Sequence, residues 1–559
     1  MDERRRAINR RRFLECFSAA GAGASLMPGA LAAVAQDAET ITIGMIQAAQ
    51  HIAGVTFSLE EQRRLLEKLN GARGYVAGFH HLRATDLGTT QPAIVFNPIP
   101  PGKKLSSVRR PLRRQAITVS MPGSDEELAF LPLTHLSRLV STRQITPTAL
   151  TKLYLARLKQ FDPHLRCVVT LTERLALQQA AEADREIAAG RYRGPLHGIP
   201  YGLKDLFAVR GVKTTWGMTP YKDRVIDVDS TVYTRLTNAG AILVAKLSTG
   251  ALAVTAQWFG GVTRNPWNPA QDAAGSSAGP GAATAAGLVG FSIGSDTGGS
   301  IIAPSTRNGV SGLRPTFGRV SRYGAMTLAW TQDTVGPMCR SSEDCALVFD
   351  AIYGPDGRDN TIIDVPFNWD AGADVAKLRV GYLEAPQGSV DEEMRRNTEE
   401  SVAIIRSLGV TIVPFTLPDV PIEAIDFIRY AETAAAFETA TRAGVLTSVE
   451  QGPEQSGRPD EIRAGHFIPA VEFIQANRFR MRVMQQLDEA FGNLDLFIGS
   501  NQALTNRTGH PVVSVPNGFA NGSPTALHLT GKLFGEAEIL RLAHAFQSKT
   551  DFHRRHPTL

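Results

Sequence analysis

DAAGSSAGPGAATAAGLVGFSIGSDTGGS, residues 272–300, decides the reading of this chain. Its first part, Gly275-Ser276-Ser277-Ala278-Gly279, matches the G-x-S-x-G pattern of a nucleophile elbow. Such an elbow needs an apolar strand running straight into its first glycine. The residues upstream, Thr263 to Gln271, carry two prolines and several polar side chains, so they do not read as a buried strand. Ser277 is therefore a poor nucleophile by this pattern. Downstream, Pro280 to Ala286 reads as a helix with proline in its first turn and Gly287 at its end. An apolar strand follows, Leu288 to Ile293, and runs through Gly294 into Ser295-Asp296-Thr297-Gly298-Gly299-Ser300. Two glycines in that loop allow successive backbone N–H groups to converge beside the Ser300 hydroxyl, which is the arrangement of an oxyanion hole next to a nucleophile.

A serine nucleophile needs a base. No histidine occupies a comparable loop, but His197-Gly198-Ile199-Pro200-Tyr201-Gly202-Leu203-Lys204-Asp205 places a lysine at the end of a short apolar strand. Burial disfavours an ammonium, so Lys204 reads as a base that is neutral near pH 7. It reads equally well as a structural lysine paired to Asp205 or another carboxylate.

The surrounding pattern is that of an α/β protein. Helices are expected from Thr134 to Val140, from Pro147, and from Thr172 to Ala189 with Gly190 as cap. Short apolar strands are expected at 199–203, 241–244, 288–293, 378–382, 411–414, 494–498, 512–515 and 526–529, alternating with helices. Strands alternating with helices predict a sheet covered on both faces. Ahead of this lie a short alternating run, Thr40 to Met45, and a helix opening at Ser58 with Glu61 completing a capping box. A segment rich in Pro, Gly, Arg and Ser from Gly88 to Pro122 reads as an extended linker or wrapping arm.

Of 559 residues, 43% are hydrophobic and 20% charged, the composition of a globular protein with a large core. The formal charge of +5 is concentrated at the start of the chain, where six arginines face Asp2, Glu3 and Glu15. No basic stripe with interleaved aromatics points to nucleic acid. Arg10-Arg11-Arg12 followed by a weakly apolar run from Phe17 to Val34, ending in Ala33-Val34-Ala35, resembles a twin-arginine export signal. Glycine, serine and Pro28 dilute that run too much for a spanning helix. Export would leave a periplasmic or secreted protein that is not embedded in a membrane. Four cysteines are too few for a disulfide scaffold, and Cys167, Cys339 and Cys345 read as buried thiols, with a Cys339–Cys345 bridge the alternative. His553-Arg554-Arg555-His556 lacks a third ligand nearby and reads as surface.

Taken together, Lys204, Gly275-Ser276-Ser277 and Asp296-Thr297-Gly298-Gly299-Ser300 resemble the amidase signature family, whose triad is Ser-cisSer-Lys. Asp333-Thr334-Val335-Gly336-Pro337-Met338 is similar to its D-x-x-G-P-M segment. Asn506-Arg507-Thr508-Gly509-His510-Pro511 and Pro516-Asn517-Gly518 are similar to its C-terminal segment. The resemblance begins near residue 130 and divides the chain into an export signal (1–35), an N-terminal extension and linker (36–125) and an amidase domain (126–559). It implies a large twisted mixed β-sheet surrounded by helices, Ser300 as nucleophile, Ser276 as the bridging cis serine and Lys204 as base. Backbone N–H groups of Thr297, Gly298, Gly299 and Ser300 would form the oxyanion hole. It implies hydrolysis of a small linear amide with no metal or organic cofactor. The alternatives are an inactive amide-binding relative or an amidotransferase A-type subunit. The chain departs from the family pattern at Ala274 and Ala278, where glycine is usual, at Pro280, where serine is usual, and at Ile302, where arginine is usual. Function is expected to survive only if the substituted positions keep φ below zero, and Asp296 is expected to lack its charge partner.

Overall fold

The structure, a computed structural model, describes residues 40–70, 94–384, 391–449 and 457–559. The candidate export signal lies outside the described residues. The chain divides into two compact units, Met1–Thr90 and Gln91–Leu559.

In the first unit, two helices, Ile43–Ala53 and Leu59–Asn70, are joined by a short turn. The alternating run at Thr40 to Met45 is therefore not a strand. Thr42 Oγ1 accepts from Met45 N at 3.3 Å and caps the first helix, so the side chain that suggested alternation instead starts a helix. Ser58 and Glu61 form the expected capping box, with Ser58 N donating to Glu61 Oε2 at 2.7 Å and Glu61 N to Ser58 Oγ at 3.3 Å.

The second unit is built on an 11-stranded sheet. In chain order its strands are β1 (Val168–Leu171), β2 (Pro200–Lys204), β3 (Ile242–Leu247), β4 (Phe291–Asp296), β5 (Ser311–Arg314), β6 (Thr334–Cys339), β7 (Arg379–Tyr382), β8 (Thr411–Pro414), β9 (Leu496–Ile498), β10 (Val512–Ala520) and β11 (Ser523–Gly531). Across the sheet they run β1-β3-β2-β4-β6-β5-β10-β11-β9-β7-β8. β2 is parallel to both β3 and β4, and β7 is parallel to β8 and β9; the remaining pairs are antiparallel. The sheet is thus mixed, as the sequence resemblance implies. Every residue of β2 and β3 is buried, which is why these strands read as apolar runs, interrupted by Lys204 and Lys246, rather than alternating ones. Alternate residues of β3 still serve opposite faces. Ile242 and Val244 join a core with Leu155, Leu158 and Leu288, whereas Leu243 joins a core with Tyr154, Leu236 and Phe291.

All eight expected strands are present, one at its expected bounds (411–414) and the other seven with shifted ends. Three others, β1, β5 and β6, are not among those expected. β5 carries glycine and arginine and β6 carries Pro337, the residues that weaken a strand reading, yet β6 is hydrogen-bonded on both sides, to β4 and β5. The residues before the catalytic candidates are also not wholly irregular. Arg264–Asn265 pairs with Asn268–Asp272 in a small ribbon separate from the main sheet. That ribbon is not the buried strand an elbow requires. Residues 94–122 run along the second unit outside any helix or sheet strand, with a turn at 101–102: Arg113 N donates to Trp369 O at 3.0 Å, and the Phe96 ring packs edge-on against Phe317. Cys167, Cys339 and Cys345 are buried free thiols. Among the described residues, no helix is long and apolar enough to cross a membrane.

Candidate active site

Three neighbouring pieces of chain deliver the candidate residues to one end of the parallel strands. β2 ends on Lys204, the turn at 274–277 leads into the helix Ala278–Ala285, and β4 ends on Asp296 ahead of the loop carrying Ser300. Backbone bonds tie the pieces together: Ser277 N donates to Ser300 O at 3.2 Å, and Gly250 N to Ser276 O at 3.3 Å. The Gly275–Ser276 peptide is cis. Only glycine fits at 275, because a Cβ there would lie 1.8 Å from the Thr255 carbonyl oxygen.

Lys204 is fully buried, and its ammonium position is ringed by hydroxyls. Its Nζ lies 2.8 Å from Ser276 Oγ, 2.9 Å from Ser277 Oγ and 3.0 Å from Ser295 Oγ. Burial pulls its pKa from 10.5 down to about 7, against the smaller opposing pull of the Asp296 and Asp333 carboxylates. Lys204 is not the partner of Asp205. That carboxylate is taken by Lys246, whose Nζ lies 2.9 Å from Asp205 Oδ1 with both side chains buried. The Ser277 hydroxyl is fully buried and donates to Ser295 O at 3.1 Å, so it can only accept from Lys204. These bonds remove Ser277 as an exposed nucleophile.

Ser300 is partly exposed. Its hydroxyl makes no hydrogen bond among the described residues, so the structure joins Lys204 to Ser276 directly but holds Ser300 beside them through the backbone. A cleft of about 950 Å³ is lined among others by Ala274, Ala303, Thr306, Gln502 and His528, close in the chain to Ser276 and Ser300 but without either serine in its lining.

The Ser300 loop is organised around Asp296. Gly299 N donates to Asp296 Oδ1 at 2.7 Å and Ile301 N to Oδ2 at 2.7 Å. Gly299, counted from the sequence among the oxyanion donors, thus has its N–H committed to this carboxylate, while those of Thr297 and Gly298 are not. Gly299 has φ +113°, a conformation that favours glycine, and a Cβ there would push aside only the end of the Gln502 side chain.

Two expectations about the departures are corrected. Asp296 does have a cationic partner despite Ile302: Arg314, at the end of β5, lies 3.4 Å away with both side chains buried. The cation comes from an adjacent segment of the fold, not the neighbouring turn. Ala278 opens a helix, but Ala274 has φ +56°, contrary to the expected negative value. Its N–H donates to Asp272 Oδ1 at 2.7 Å, which helps hold that left-handed conformation. Ser295 and Arg314 were missed in the sequence. Ser295 adjoins Asp296 in the glycine-rich motif, and Arg314 is a lone charge ending an otherwise apolar run, which were the available signals.

The Amidase family model matches residues 149–500, and the chain belongs to that family of enzymes. It is 33% identical to the A-type subunit of the glutamyl-tRNA(Gln) amidotransferase of Ralstonia nicotianae over 76% of this chain and 98% of that protein. It is 34% identical to the putative amidase AmiD of Mycobacterium bovis over 78% of this chain and 98% of that protein. Among solved structures, the native peptide amidase from Stenotrophomonas maltophilia superposes with a TM-score of 0.69 at 30% identity, covering 76% of this chain and 98% of that one.

Proposed function

We propose that the protein hydrolyses a linear carboxamide through Ser300, Ser276 and Lys204. The observation that carries this is a fully buried lysine, with its pKa drawn to about 7, 2.8 Å from the Ser276 hydroxyl and without a contacting carboxylate. A neutral amine has two protons and one lone pair. If the protons go to Ser277 Oγ and Ser295 Oγ, the lone pair faces Ser276. Lys204 then takes the Ser276 proton as Ser276 takes that of Ser300, and Ser300 Oγ bonds to the amide carbon. N–H groups of Thr297, Gly298 and Ser300 hold the oxyanion, with Gly299 N–H retained by Asp296. The relay returns a proton to the leaving nitrogen as the C–N bond breaks, giving ammonia or an amine and an ester on Ser300. Water, deprotonated by the same relay, releases the carboxylate.

The test is incubation with a fluorophosphonate followed by peptide mapping, together with ammonia release from simple amides. Label on Ser300, lost in Ser300→Ala along with hydrolysis, supports the reading; label on Ser277 overturns it. The similarity to amidotransferase subunits favours one competing outcome, in which amide hydrolysis requires a partner protein. Ammonia release by the isolated chain excludes that requirement. We further propose export through the arginine pair Arg10-Arg11. Changing both to lysine should retain active protein in the cytoplasm, and unchanged periplasmic yield contradicts it.

A further inference from the structure

Asp333 opens the D-x-x-G-P-M segment, and the relay above gives it no role. It lies just before β6, whose first residue Thr334 is paired with Asp296 across from β4, so it stands beside the start of the Ser300 loop. Its two carboxylate oxygens have different partners. Oδ2 accepts from Leu328 N at 2.8 Å and Ala329 N at 3.0 Å, which closes the turn at 328–333. Oδ1 accepts from the Thr297 hydroxyl at 2.6 Å. Thr334 Oγ1 adds a second tie, donating to Asp296 O at 3.0 Å.

The same turn is gripped from its other side. Thr331 donates to Glu432 through N at 3.2 Å and Oγ1 at 2.8 Å. It accepts from Arg480 at Oγ1, 2.8 Å, and at its carbonyl, 2.7 Å. Glu432 and Arg480 are buried, and the Arg480 guanidinium also sits 3.5 Å from the centre of the Phe96 ring. Thr433 Oγ1 donates to Leu328 O at 2.9 Å, tying the helix Phe427–Ala436 to the first residue of the turn. A buried acid and base that share one threonine fix a loop more firmly than either could alone, since each satisfies groups the turn would otherwise leave unpaired.

We propose that Asp333 is a positioning residue for the oxyanion-binding loop, fixing Thr297 through its hydroxyl while the Glu432–Thr331–Arg480 clamp fixes Asp333. The inference rests on the Ser300 reading above. Thr297 presents its backbone N–H to the developing oxyanion, and the direction of that N–H is set by its backbone, which the hydroxyl bond restrains. Losing the bond weakens the transition state and leaves ground-state binding unchanged.

The experiment uses fluorophosphonate phosphonylation, which needs no knowledge of the natural amide. Ser300 Oγ bonds to phosphorus, fluoride leaves, the proton passes to Lys204, and the phosphoryl oxygen occupies the oxyanion position. Thr297→Val keeps the shape of the side chain and all the turn bonds of Asp333 but removes the hydroxyl. The expected result is a fall in kinact of about tenfold or more with KI within about twofold, and recovery in Thr297→Ser to within about threefold of wild type. In the Thr297→Val background, and at a pH well above the Lys204 pKa, where loss of the Asp333 charge no longer alters the amine's protonation, Asp333→Ala should lower kinact little further. An unchanged kinact in Thr297→Val, or a loss that serine does not restore, overturns the proposal. Should Asp333→Ala fail to fold, the two Thr297 variants decide alone. Absence of label on Ser300 in wild type would instead sink the catalytic reading itself.

Discussion

Two buried lysines stand on adjoining parallel strands, Lys204 on β2 and Lys246 on β3, in a register that pairs Lys204 with Leu247 and Leu203 with Lys246. Both are fully buried, and burial lowers the pKa of both. Their surroundings differ. Lys246 Nζ touches the Asp205 carboxylate at 2.9 Å, with the Lys213 carbonyl and the Thr214 hydroxyl each at 3.1 Å. Asp205 opposes that lowering, and the two side chains form a buried ion pair. Lys204 has three hydroxyls and no carboxylate in contact, which leaves it near neutrality at about 7. One strand position therefore carries a lysine in a buried ion pair and its neighbour a lysine free for the proposed role of base, the difference lying in whether a carboxylate is within reach.

The largest expected effect separates the two. Lys204→Ala should reduce kcat/KM by about a thousandfold or more in protein whose thermal melt remains cooperative. Near-normal activity per folded molecule would break the assignment. Lys246→Met should do the reverse. It strands Asp205 without its cation and should cost about 3–5 kcal/mol in denaturant unfolding, while folded enzyme keeps the wild-type pH dependence. A lost ascending limb in that variant would mean that the two lysines titrate together. A smaller effect is expected from Ser277→Ala. It removes one acceptor that turns the Lys204 lone pair toward Ser276, so kcat should fall by about tenfold with the melting temperature little changed. The smallest lies at Ala274, at φ +56° beside the cis peptide. Replacing it with glycine should stabilise the fold by about 0.5–1 kcal/mol, read as a higher denaturant midpoint, because glycine adopts that conformation without a Cβ clash. A lower midpoint would show that Ala274 is held there by contacts glycine cannot supply.

The sequence disclosed the strand ending in Lys204 because Ile199 to Leu203, all buried, make a short run without a charged residue. It disclosed the Ser300 loop because two adjacent glycines after a strand have few other uses. It could not decide between a base and a paired lysine, since Asp205 adjoins Lys204 in the chain but turns to Lys246 in space. Neither could it show that Arg314, supplied by a strand it had not suggested, replaces the missing cation beside Asp296. Such facts depend on which strands lie side by side, and the order β2-β4-β6-β5 is not written in any local pattern. The run at Thr40 to Met45 failed for a local reason: Thr42 serves as a helix cap as readily as a strand residue.

The measurement that tests the central claim most directly is the rate of fluorophosphonate labelling at Ser300 against pH, in wild type, Lys204→Ala and Lys246→Met. Only the unprotonated amine accepts a proton, so the wild-type rate should rise about tenfold per pH unit below the Lys204 pKa and level off above about 7. Lys246→Met should follow the same curve, and Lys204→Ala should be slow with that limb absent. The same ascending limb in Lys204→Ala would contradict the account, because the titrating base would then lie elsewhere.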